Sequence, residues 1–161
     1  MTTLYVLVGV PGSGKTTWIG HQTFDWDNTV VISTDKYVEQ HAQLVGKTYS
    51  DVFQDYMPTA VEKMTYAVVD AFNNNKIVIW DQTSTSVVTR AKKLRMAPKH
   101  YTKVAVVFAT PSNEVHTKFL ARPGKVVPFE VIRDMMTKFT YPTLDEGFDK
   151  VINARLKGID Q

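Results

Sequence analysis

The sequence predicts an α/β domain in which a parallel sheet of four to five strands is flanked by helices. Three observations carry the prediction. Short apolar runs alternate with longer amphipathic segments. The runs are nearly continuous in Val, Ile and aromatic residues, as in strands covered on both faces. A glycine-rich turn joins the first run to the first helical segment. At 161 residues the chain has the length of one domain with one core, and 1–161 is read as a single unit.

In chain order, strands are expected at Leu4–Val8, Thr29–Ile32, Lys76–Trp80 and Lys103–Phe108, with a weaker fifth at Lys150–Ala154. Helices are expected from Lys15 to about Gln22 and over Met57–Asn73, Ser86–Ala97, Ser112–Leu120 and Pro128–Phe139. Pro58 and Pro128 suit the first turn of a helix, where a missing N–H costs nothing. The run Asn73-Asn74-Asn75 reads as a helix exit before the third strand. Strands separated by helices imply βαβ units, and ligands of such sheets gather outside the carboxyl ends of the strands. The residues there are Gly9–Thr16, Ser33–Asp35 and Asp81–Thr83, which are expected to converge on one cleft, and Ala109–Pro111.

Composition narrows the class. Hydrophobic residues at 43% and charged residues at 22% suit a soluble globular protein. No run of 18 apolar residues occurs, which excludes a membrane-spanning helix, and no signal-peptide pattern opens the chain. With no cysteine there is neither a disulfide framework nor a thiolate metal site, so a cytoplasmic protein is expected. The net charge of +3 and pI near 9.0 tilt weakly toward polyanions, although +3 is also an ordinary solubility charge.

Gly9-Val10-Pro11-Gly12-Ser13-Gly14-Lys15-Thr16 satisfies G-x-x-x-x-G-K-[ST], and it lies between a strand and a helix as the motif requires. This places the fold among P-loop NTPases. Backbone N–H groups around Gly12, Ser13 and Gly14 would wrap the phosphates of ATP, with Lys15, Thr16 and Thr17 completing the cradle. Lys15 is expected on the β- and γ-phosphates and the Thr16 hydroxyl on Mg²⁺.

The remaining motifs select among the proteins that use such a cradle. A guanine-reading N-K-x-D and a D-x-x-G loop are missing. "IVIWDQ" ends in Asp81-Gln82 rather than Asp-Glu, so the water-activating acid of motor ATPases is also missing. A small kinase needs a base near the acceptor hydroxyl and a cationic lid. Asp35, in "VVISTDKY", either caps the next helix or serves as that base; its place at a strand end opposite the cradle favours the base. "LARPGKVVP" (Leu120–Pro128) supplies Arg122 and Lys125 beside a Pro-Gly turn, a short basic lid over about 117–130.

With these motifs the chain resembles the kinase domain of phage polynucleotide 5′-hydroxyl kinases, within the zeta-toxin-like small kinases. The matching segments are "GVPGSGKTTW", "STDKY", "IVIWDQTSTSVVTR", "RPGKVVPFEVIRDMM" and "YPTLDEGFDKVI". The resemblance implies that Lys15 and Thr16 bind ATP and Mg²⁺, that Asp35 is the general base, and that Arg122 stabilises the transferring phosphoryl group. It also implies that Asp81 and Arg90 line the cleft; Thr83 lies beside them after the same strand. The sequence departs from the family at Asp35-Lys36-Tyr37-Val38, where an arginine that grips an acceptor phosphate is replaced by valine. Lysine at 36 lacks that planar fork. The expected acceptor is the 5′-hydroxyl of DNA or RNA; a hydroxymethylpyrimidine in phage DNA, a nucleoside or a small metabolite is the alternative, and a nucleotide-binding regulatory or toxin-like module is a third.

Other signals carry less. "FDWDNTV" mimics an aspartate-nucleophile phosphatase signature, but it follows no buried strand and reads as a loop. His21, His41, His100 and His116 lack zinc spacing. The aromatic and methionine residues of 57–72 fall at helical spacing and suit the core. "RAKKLR" (Arg90–Arg95) is either a solvated face or part of a nucleic-acid path.

Overall fold

The computed structural model describes residues 2–109, 124–125 and 127–154. Strand β1 (Thr3–Val8) leads through the glycine turn to α1 (Lys15–Gly20), and a 3₁₀ turn at Trp26–Asn28 precedes β2 (Thr29–Ile32). Then follow α2 (Asp35–Val45), α3 (Tyr49–Asn73), β3 (Ile77–Trp80), α4 (Val87–Met96) and β4 (Thr102–Val107). Helix α5 (Phe129–Thr137), a 3₁₀ turn at Leu144–Glu146 and β5 (Lys150–Asn153) complete the described chain. All strand pairs are parallel, in the order β2-β3-β1-β4-β5.

The three central strands are buried because helices cover both faces. On one face Leu4, Val6, Val8, Val78 and Trp80 pack with Met64, Val68 and Phe72 of α3 and Leu94 of α4. On the other, Leu7, Ile79, Val104 and Val106 pack with Trp18 of α1 and Phe108. The alternation of Val6 and Leu7 between these faces is the period-2 geometry of a strand. β5 is the exposed edge, which explains its weak sequence signal. No helix among the described residues is long and apolar enough to cross a membrane.

Two expectations are corrected here. Pro58 does not open a helix; it lies inside α3, which begins eight residues earlier than the expected start at Met57. A capping box sets that start: the Asp51 N–H donates to Thr48 Oγ1 at 3.2 Å, and the Thr48 N–H donates to Asp51 Oδ2 at 3.1 Å. Pro58 deprives the Gln54 carbonyl of its helical donor, but Gln54 is exposed to water, and Val52 and Ala60 hold this stretch against Val38 and Ala42 of α2. Helix α2 itself carried no sequence expectation beyond the cap at its start. The helix expected at Ser112–Leu120 lies outside the described residues, as does most of the lid at 117–130.

Candidate active site

The glycine turn has the conformation its sequence demands. Gly12 and Gly14 sit at φ 80° and 99°, where L side chains are strained. Gly9 is required for closeness instead: a Cβ there would stand 2.5 Å from Ser13 Oγ and 2.9 Å from Phe108 Cβ. The turn is tied down by the Gly9 N–H donating to the Thr83 carbonyl at 2.9 Å, which joins it to the end of β3. Lys15 folds over its own loop, its Nζ donating to the carbonyls of Gly9 (2.8 Å) and Val10 (3.0 Å). Burial lowers the Lys15 ammonium to about 8; Asp81 and Asp35 oppose the shift, and Lys125 adds to it.

Phosphates and a metal fit these residues. The Ser13 hydroxyl is buried without a hydrogen-bond partner among the described residues, so an incoming oxygen would complete it. Thr16 and Thr17 are exposed in the first turn of α1. Thr16 lines a 510 Å³ cavity with Ser33, Asp35, Lys36 and Asp81, a set of hard oxygen donors plus one cation.

Asp35 and Asp81 approach the cradle from neighbouring strand ends, since β2 and β3 are paired and the Asp81 N–H donates to the Ile32 carbonyl at 2.7 Å. Burial raises the Asp81 carboxyl; Lys15 pulls it down, Asp35 adds to the rise, and Lys125 opposes it. Asp35 is not the helix cap, since Thr34 occupies that position. Its carboxylate instead accepts from the Tyr49 hydroxyl at 2.7 Å (Oδ1) and pairs with Lys125 at 3.1 Å (Oδ2).

A second cavity, of 410 Å³, opens from the same two carboxylates. Its polar end holds Lys15, Asp35, Asp81 and Thr83, and its wall is apolar: Phe53 and Met57 from α3, Val127, and Val131 and Met135 from α5. Sequence reading missed this wall. Phe53 lay before the expected helix start, and Met57 had been read as core.

Arg90 does not join the cleft, contrary to expectation. It is fully buried, donating from Nε and Nη2 to Glu146 at 2.7 and 3.1 Å and from Nη1 to the Ser84 carbonyl at 3.0 Å. The basic run around it divides: Lys93 is buried over the Trp80 ring, while Lys92 and Arg95 are exposed. Val38 is wholly buried between α2 and α3 and does not face the cleft. Arg122 lies outside the described residues. Asp25 precedes an exposed 3₁₀ turn and Asp27 lies within it, as a loop reading requires, and no metal-holding group of acids and histidines occurs among the described residues.

Fold and site together define an α/β domain with a P-loop kinase-like fold. The profile of the AAA domain family matches residues 4–142, and the chain belongs to that family. It is similar to a chain in the Pnkp1/Rnl/Hen1 RNA repair complex at 25% identity and TM-score 0.68, covering 91% of this chain and 46% of that one. Similarity of fold extends to the PezAT chromosomal toxin–antitoxin system of the human pathogen Streptococcus pneumoniae, at 19% identity and TM-score 0.62, covering 94% and 68%. It also extends to shikimate kinase from Acinetobacter baumannii in complex with shikimate, at 18% identity and TM-score 0.54, covering 96% and 85%. The chain spans less than half the length of the RNA repair chains it matches, 46% and 42%.

Proposed function

We propose that this single domain transfers the γ-phosphoryl group of ATP to the 5′-hydroxyl of a DNA or RNA end. The observation that carries the reading is the 410 Å³ cavity, which joins the cradle lysine and two carboxylates to an apolar slot. A nucleobase matches that slot: it is flat, largely apolar on its faces, and stacks on aromatic and thioether side chains. The similarity to a chain of an RNA repair complex supports the same acceptor.

In the mechanism, Lys15 and the loop N–H groups hold the ATP phosphates, and Thr16 takes the metal. Magnesium, when bound, neutralises charge on the phosphates. Asp35 accepts the proton of the acceptor hydroxyl as its oxygen bonds the γ-phosphorus and the bond to the ADP oxygen breaks. Arg122, assigned from its place in the lid motif, stabilises the charge spread over the transferring group. Asp81 and Thr83 line the acceptor side.

A hydroxymethylpyrimidine base in phage DNA, or a nucleoside, is the second reading. Val38 supports it, since no cation at that position reaches toward an acceptor phosphate. The test is one panel with γ-phosphate-labelled ATP: 5′-hydroxyl oligonucleotides, hydroxymethyluracil-containing DNA and free nucleosides. Labelling of the oligonucleotides, cut to a small residual rate in Asp35→Asn with ATP binding retained, is expected. Tight ATP binding with no labelled acceptor would instead indicate a regulatory or toxin-like nucleotide-binding module.

A further inference from the structure

We infer that Tyr49 and Lys125 are positioning residues that act on the reaction through Asp35. This rests on the phosphotransfer reading above; it assigns Tyr49, which neither the cradle nor the lid motif identifies, and gives Lys125 of the lid motif a role through Asp35. A carboxylate whose side chain is 55% exposed would ordinarily sample several rotamers. Here both oxygens are fixed, one by the Tyr49 hydroxyl at 2.7 Å and the other by the Lys125 ammonium at 3.1 Å. A carboxylate has about four acceptor positions, so two remain open for the acceptor hydroxyl.

The two holders are themselves held. Lys125 also pairs with Glu39 at 3.2 Å and stands 4.4 Å above the centre of the Tyr49 ring, a cation–π distance. Its side chain is only 17% exposed, so the pair to Asp35 is less screened than a surface ion pair. Its neighbour Gly124 accepts the Ser50 N–H at 3.1 Å, tying the segment to the start of α3, where Tyr49 resides. Asp35 also acts on the charges of Lys15, in the cradle, and of Asp81, just past the end of β3, and Lys36 lines the adjoining cavity. Tyr49 and Lys125 also line the slot that takes the acceptor. Asp35 is therefore aligned by groups from α3 and from the segment before α5, the latter also held by Glu39 of Asp35's own helix.

The test is a double-mutant cycle with the whole chain. Tyr49→Phe and Lys125→Met are each expected to lower kcat about tenfold on a 5′-hydroxyl oligonucleotide, with KM for ATP unchanged. In an Asp35→Asn background neither should lower it further, and Lys125→Arg should restore most of the loss. As a readout free of turnover, the ¹⁵N resonance of the Lys125 ammonium should shift in Asp35→Asn. Full activity in both variants, equal losses with and without Asp35, or an unmoved resonance would overturn the proposal. Transfer that is present but uncoupled to Asp35 removes this proposal alone. Absence of transfer by the unaltered protein to any acceptor removes the phosphotransfer reading, and this proposal with it.

Discussion

Glu146 receives the Arg90 guanidinium through two nearly parallel hydrogen bonds, 2.7 Å from Nε and 3.1 Å from Nη2, with the arginine side chain wholly out of water. The pair joins α4 to the 3₁₀ turn before β5, so its work is to anchor the sheet edge. Removing one partner of a buried pair strands a charge and typically costs about 3–5 kcal/mol. Glu146→Ala should therefore lower unfolding stability in urea by that order. Arg90→Met with Glu146→Leu should lose far less, because no charge is left behind. If Arg90 binds substrate instead, Arg90→Lys would raise KM at unchanged stability.

Val38 gives a second prediction. With Ala42, Val52 and Ala60 it forms the seam between α2 and α3, and it is 0% exposed. An arginine placed there buries an unpaired charge and overfills the seam, costing several kcal/mol. Val38→Arg should fall sharply in melting temperature without tighter binding of 3′-phosphorylated acceptors. A stable variant that binds them better would show that α2 can turn this position toward the cleft.

How the sequence foretells this site depends on the range of each signal. The cradle was legible because Gly9, Gly12 and Gly14 answer local demands of φ and closeness, and Lys15 follows at fixed spacing. Asp35 and Asp81 were legible because the carboxyl-end rule for parallel sheets needs only strand ends. Arg90 misled because a motif gives its position on a helix, while its partner Glu146 lies 56 residues away. Tyr49 was hidden by Pro58, which seemed to mark a helix start; the true signal was Thr48-Tyr49-Ser50-Asp51, a capping pattern with Asp in place of Glu.

Lys15 should impose a pH limit on nucleotide binding. Burial holds its ammonium at about 8, well below the 10.5 of a free lysine. Phosphate oxygens favour the charged form, so ATP affinity should be level below pH 8 and decline as pH rises through it, as one proton is lost. Stability runs the other way: between about 8 and 10.5 the unfolded chain binds the proton that the folded chain has released, so stability rises with pH. Calorimetric titrations from pH 7 to 9.5 should show the decline in the native protein. In Lys15→Met, affinity should be weak and flat over the same range.

Two glycines with the same backbone separate stability from alignment. Gly46 (φ 69°) ends α2 with open space around it, whereas Gly124 (φ 75°) would place a Cβ 3.3 Å from that of Thr48. Alanine at either position meets the left-handed penalty of about 1–2 kcal/mol. Gly46→Ala should lose stability of that order and keep its kcat, because a Cβ there meets no atom within 4 Å. Gly124→Ala must also push against Thr48, whose hydroxyl caps α3, and so displace the adjoining Lys125 from Asp35. Its kcat should fall by more than its stability explains, measured at a temperature where both variants are fully folded. Equal kcat in the two variants would mean that the approach of Gly124 to Thr48 does not govern the carboxylate.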